Sequence, residues 1–162
     1  MSDELDDVRI ERATAQDALV LAGMTLRWDL EGGAPNRRGF LDEFASAWIE
    51  QGDARPAWIA RQPTGDPVGF VLGILATSLP SLRRPTGGWL HISGFYVVPE
   101  LRGHGLGERL MREVVDWATE RELYRVQLNA TDQARAFYRR AGFGSPQDTL
   151  MQLVLTDRLP TS

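Results

Sequence analysis

The chain has 162 residues, 43% hydrophobic and 25% charged, a composition that suits one folded domain with a core and excludes disorder throughout. A formal charge of -4 at pH 7 argues against a nucleic-acid partner held by its phosphates, and the absence of cysteine removes disulfides, thiolate nucleophiles and zinc–thiolate sites. No run approaches the roughly 18 apolar residues that span a bilayer, and the acidic start MSDELDD has no signal core, so a cytoplasmic protein with no membrane partner is expected.

In chain order, residues 1–6 read as an acidic, flexible tail, and VRIERAT (8–14) alternates as a first strand. Thr14 and Asp17 form a capping-box pattern for a helix running to about Trp28, which Gly32, Gly33 and Pro35 end. A second helix carries Phe40, Phe44 and Trp48 on one stripe and stops at Gly52. AWIAR (57–61) and VGFVLGILA (68–76) are two strands of a hairpin joined by PTGDP, and WLHISGFYVV (89–98) is a fourth strand ended by Pro99. RGHGLG (102–107) then opens an amphipathic helix whose buried face is Leu106, Leu110, Val114 and Ala118. YRVQL (124–128) is a short strand, TDQARAFYRRAG (131–142) a helix capped by Thr131 and stopped by Gly142, and LMQLVL (150–155) a last strand, with a further short strand expected near Phe143. Strands and helices mixed in this order, with no repeat or linker, predict a single α/β domain over residues 1–162.

The glycine-rich stretch carries the chemistry. The first amides of a helix have no partner within it and sit at the positive end of its dipole, so they attract an anion. Gly103, Gly105 and Gly107 remove the Cβ atoms that would hold a phosphate off the backbone, and Arg102 adds a charged donor. The spacing is neither GxxxxGK[ST] nor GxGxxG, and taken alone the loop is equally a tight strand-to-helix connection. His91 and His104 stand too far apart, in contexts too unlike, to suggest a metal centre, and no metal is expected.

A second stretch, YRRAGF (138–143), changes the balance. Arg102, Gly105 and Gly107 match a cofactor loop written [RQ]xxGx[GA], and Tyr138, Gly142 and Phe143 match YxxxGF; together they resemble the GNAT superfamily of N-acetyltransferases. The resemblance implies a central, mostly antiparallel mixed sheet of about six to seven strands with helices on both faces. It also implies a fourth and fifth strand that splay apart to admit acetyl-CoA. Residues 102–107, including His104 and Leu106, would cradle the pyrophosphate, and Val97 and Val98 would offer edge amides to the pantetheine arm. Tyr138 matches the tyrosine that protonates the departing sulfur. His91 matches a position where some protein-acetylating members carry a glutamate base, and an imidazole with pKa of about 6.5 can take a proton at neutral pH. A water chain is the other route. The family often has asparagine seven residues before the tyrosine; Thr131 stands there, and Asn129 is the substitute candidate for the pantetheine contact.

The implied activity is acetyl transfer from acetyl-CoA to a primary amine of a small molecule. A protein or peptide acceptor and a non-catalytic acyl-CoA sensor are the alternatives, and a homodimer through the sheet or the final strand stays open. Trp28, Asp29 and Glu31, before the turn that borders the acceptor in this superfamily, could hold a cation by ring face and carboxylate, or could equally be a solvated loop anchored by the tryptophan.

Overall fold

Alternating apolar residues build the sheet of this computed structural model, which describes residues 5–84, 87–146 and 149–155. The chain divides into two units, residues 1–129 and 130–162. In the first, five strands lie side by side in chain order: β1 (Arg9–Arg12), β2 (Ala57–Arg61), β3 (Pro67–Thr77), β4 (Gly88–Val97) and β5 (Arg125–Leu128). Neighbours from β1 to β4 are antiparallel, and β5 joins β4 in parallel. The parallel pair needs a long crossover, which α3 (Leu106–Glu120) supplies. Helices α1 (Ala18–Glu31) and α2 (Phe40–Gln51) fill the connection between β1 and β2. The Thr14–Asp17 capping box is present, although it opens a short 3-10 turn (Ala15–Asp17) ahead of α1.

Strand alternation sends side chains to two faces, and each face receives a helix. Gly69 and Val97 are paired, and a methyl of Leu110 from α3 lies 3.1 Å from where a Gly69 Cβ would stand. On the other face Phe70, paired with Tyr96, meets the Trp28 ring of α1 at 6.0 Å. Leu21, Phe70, Val71, Leu90, Leu110 and Val114 are completely buried between these layers, and each contributes about 1.5–3 kcal/mol of burial. The predicted stripe of α3 holds, with Leu106, Leu110, Val114 and Ala118 all buried.

One irregularity shapes β4. Leu72 pairs with Gly94 but Gly73 pairs with Ile92, so Ser93 is an extra residue without an opposite number. The Gly73 amide turns instead to the Pro56 carbonyl at 2.8 Å. Such a bulge bends its strand and reverses which face the following side chains take. Beyond it β4 leaves β5: their pairing covers only Trp89–Ile92 against Arg125–Leu128, while β4 runs on to Val97.

The second unit holds α4 (Arg135–Arg140), shorter than expected because residues 131–134 form turns rather than helix. Thr131 caps that turn, its side-chain oxygen accepting from the Ala134 amide at 3.3 Å. Three sequence expectations about strands fail. Residues 150–155 are described and form no strand, none forms near Phe143, and the described residues carry five strands rather than six to seven. Leu150, Met151, Leu153, Val154 and Leu155 are exposed. Apolar alternation supplies a face to bury, but a strand exists only where a neighbouring ladder takes its amides, and none does so here. As for the acidic tail, residues 1–4 lie outside the described residues, while Leu5 is buried and its carbonyl accepts from Arg109.

Candidate active site

The end of β4 is built to turn. The Val98 amide donates to the Val68 carbonyl at 2.9 Å, Pro99 has no amide to extend the ladder, and Pro99–Leu101 form a 3-10 turn with Leu101 buried. Gly103 and Gly105 follow with φ of +78° and +91°, a left-handed conformation that side chains disfavour. A Cβ at either would meet no atom within 4 Å, so the space above the loop is open. Gly105 is the N-cap of α3, and the first helical bond runs from the Arg109 amide to its carbonyl, which leaves the amides of Leu106, Gly107 and Glu108 without intrahelical partners. Buried Leu106 pins the helix start, and Arg109 ties its first turn to the carbonyls of Leu5 and Val8, the latter at 2.7 Å. Glycine curvature, open space and a row of unpaired amides fit a diphosphate.

Arg102 engages three groups of the protein. Its Nε donates to the Val97 carbonyl at 2.8 Å, its terminal nitrogen pairs with Glu31 Oε1 at 2.7 Å, and its guanidinium lies 5.3 Å from the centre of the Tyr96 ring. The Tyr96 hydroxyl donates to the other Glu31 oxygen at 2.6 Å. Tyr96 first, and then Arg102, hold the Glu31 carboxyl below the usual carboxylate range, while burial and then Glu31 raise the Tyr96 phenol. Nearby, Arg27 faces Glu100 at 3.5 Å. The sequence suggests Arg102 for phosphate and leaves Glu31 either a cation holder at the acceptor side or part of a solvated loop; nothing in it singles out Tyr96.

The open edge of β4 is narrower than expected. Because the Val98 amide is engaged by Val68, alternation turns the amide of Val97 to the opposite side, where β5 has already departed. Val97, rather than both valines, presents a free edge, and Arg102 holds its carbonyl.

His91 sits where β4 and β5 are still joined, paired with Ile74 on one side and Gln127 on the other. Leu90 and Ile92 are buried, and Leu90 lies against the Gly73 position on the α3 side. His91 therefore occupies the opposite face with Ile74, half-buried, its Nδ1 3.4 Å from the Gln127 amide nitrogen. Gln127 was not singled out in the sequence; a polar residue among YRVQL was its only signal. His104 is exposed in the loop, and Asn129 is exposed just past β5.

In the second unit, Tyr138 lies mid-way along α4 between the rings of Phe137 at 5.1 Å and Phe143 at 5.8 Å. Gly142, with φ of +96°, turns the chain so that the Phe143 amide returns to the Tyr138 carbonyl at 3.0 Å. Burial raises the Tyr138 phenol above its ordinary value, so the hydroxyl keeps its proton throughout the neutral range.

Residues 24–143 match the model of the GNAT acetyltransferase family, a stretch that includes the C-terminal half of α1, the glycine loop and YRRAGF. The chain belongs to that family. Curated relatives that match part of the chain are named N-acetyltransferases. Glucosamine 6-phosphate N-acetyltransferase 1 of Oryza sativa subsp. japonica is 40% identical over 53 residues, 33% of this chain and 32% of its own length. The Trypanosoma brucei brucei glucosamine 6-phosphate N-acetyltransferase is 30% identical over 82 residues, 51% of this chain and 54% of its own. The matched stretches thus span between a third and about half of those relatives. A predicted acetyltransferase from Clostridium acetobutylicum, solved with acetyl-CoA, superposes with a TM-score of 0.76 at 20% identity, covering 93% of this chain and 97% of that one. An aminoglycoside acetyltransferase from an uncultured soil metagenomic sample, in complex with sisomicin, gives 0.74 at 15% identity, with 92% and 96% covered.

Proposed function

We propose that the protein transfers the acetyl group of acetyl-CoA to a primary amine of a small molecule by direct attack of the amine on the thioester. The observation that carries this is the glycine loop: left-handed Gly103 and Gly105, open space above them and the unpaired amides of Leu106, Gly107 and Glu108 at the start of α3. The edge amide of Val97 would hold the pantetheine arm as an added strand would, and Asn129 would assist from the end of β5. A small acceptor is favoured by relatives named for glucosamine 6-phosphate and by the structural neighbour in complex with sisomicin.

Acetyl-CoA supplies the activated acetyl group; the protein must manage two protons. The amine attacks as its neutral form, its nitrogen bonds to the thioester carbon, the carbon–sulfur bond breaks, and the amine loses one proton while sulfur gains one. His91, half-buried on the sheet face opposite Leu90 and Ile92, would accept the first, with Gln127 orienting its ring. Tyr138, protonated at neutral pH, would supply the second. Thiol release from acetyl-CoA across amines, aminosugar phosphates, aminoglycosides and peptides tests the reaction and its acceptor. Gly105→Asp, which puts a carboxylate into the anion cradle, is expected to abolish CoA binding in calorimetry while leaving the protein folded; retained affinity would remove the loop assignment. Tyr138→Phe is expected to slow the single-turnover rate by about 10² to 10⁴ with CoA affinity unchanged, and an unchanged rate would reduce Tyr138 to a packed aromatic and favour an acyl-CoA sensor.

A further inference from the structure

We propose that Glu31 is a positioning residue for the cofactor loop: through Arg102 and Tyr96 it ties the last turn of α1 to the first residue of the glycine loop. The tie rests on the acetyl-CoA reading above. Between buried Leu101 and buried Leu106 the loop has Arg102, Gly103, His104 and Gly105, of which two have no side chain and His104 is exposed. Arg102 supplies the side-chain anchor of that stretch. Glycines at positive φ are conformationally free in an unanchored chain, so the order of the cradle depends on how firmly Arg102 is held.

It is held at three points: the Val97 carbonyl, the Tyr96 ring and Glu31. The carboxylate uses both oxygens, one for Arg102 and one for the Tyr96 hydroxyl, so its orientation is set from β4 as well as from the loop. A paired charge at the surface contributes little to global stability, so stability alone does not account for this arrangement. Pre-ordering a binding loop does, because a ligand then need not supply the ordering on arrival. Glu31 is also the residue from which the chain leaves α1 toward residues 32–39, so one joint would set both that segment's origin and the cofactor loop.

Calorimetry with CoA, and initial rates against acetyl-CoA, test the tie in the full chain with Glu31→Gln and Tyr96→Phe. For Glu31→Gln, CoA affinity is expected to fall about threefold to tenfold and KM for acetyl-CoA to rise equally, with kcat near wild type. Its melting temperature is expected to change by no more than about 4 °C. Tyr96→Phe keeps the ring beneath Arg102 and is expected to shift affinity the same way by less. Wild-type CoA affinity in both folded variants would overturn the tie alone, as would a lower melting temperature with KM unchanged, which marks a merely structural contact. No CoA binding by the wild-type protein would overturn the cofactor reading and the tie with it.

Discussion

Arg12 and Arg102 both lie over aromatic rings, on clusters of opposite character. Arg12 covers Trp58 at 5.1 Å and Trp117 at 4.7 Å, Arg121 lies 4.6 Å over the same Trp117, and the two indoles meet edge to face at 5.3 Å. Burial, and next the like charge of Arg121, push the Arg12 guanidinium below its ordinary value. Arg102 instead covers Tyr96 while facing a carboxylate and a carbonyl. In the first cluster the rings do the work, sealing β2 against α3, and the cations are a lid over apolar surface. In the second the ring is a platform and the hydrogen bonds dominate, because they have direction. What caps a guanidinium decides whether an arginine over an aromatic stabilises a core or aims a loop.

The widest separation between the two clusters is expected from Trp58→Ala. Trp58 is 2% exposed, so its truncation is expected to cost about 3–5 kcal/mol in denaturant unfolding, with CoA affinity of the folded protein intact. Loss of affinity in step with stability would mean that the clusters are not separate.

Next in size is coupling within the second cluster. Arg102→Gln is expected to weaken CoA binding about as much as Glu31→Gln, and the double variant no further than the worse single one, since both remove the same tie. Additive losses would show that Arg102 meets the phosphates itself.

A smaller effect is expected in acid. The folded pKa of Glu31 is depressed, so its contribution is complete above the ordinary carboxylate value of about 4.3 and is lost as pH falls through the lower, folded value. Tyr96, Arg102 and Arg27 favour the ionised form, and Tyr96 contributes most. Tyr96→Phe should therefore move the acid loss of CoA affinity to higher pH. The ligand's own phosphates titrate alike in both proteins, so the difference between the two binding profiles isolates Glu31; coincident profiles would deny its hydrogen bond a role.

Smallest of all should be Arg12→Met, which keeps a long stem over the indoles and removes the charge. The lost cation–π attraction and the relieved repulsion from Arg121 oppose each other, so the unfolding free energy is expected to change by less than about 1 kcal/mol. A larger loss would make the charge, rather than the rings, the source of that cluster's stability.

Local patterns in the sequence specify much of the molecule. The stripe Leu106, Leu110, Val114 and Ala118, the hairpin over PTGDP, the stop at Pro99 and the left-handed glycines of the loop all depend on residues a few positions apart, where backbone sterics and periodicity act directly. Three other features were decided only by tertiary structure. The LMQLVL segment alternates like a strand yet has no ladder, because pairing is a property of a neighbour and not of the segment. The bulge at Ser93 reverses the faces of Gly94 through Val97, which is why Tyr96 joins Phe70 on the α1 side; no count along WLHISGFYVV shows where an extra residue is inserted. Arg102 carries a charge that suits a phosphate as well as it suits Glu31, and 71 positions of chain separate that pair. Residue type states what Arg102 can bind; only the seating of α1 on the sheet, through Trp28 on Phe70 and Glu31 on Tyr96, selects the carboxylate it does bind.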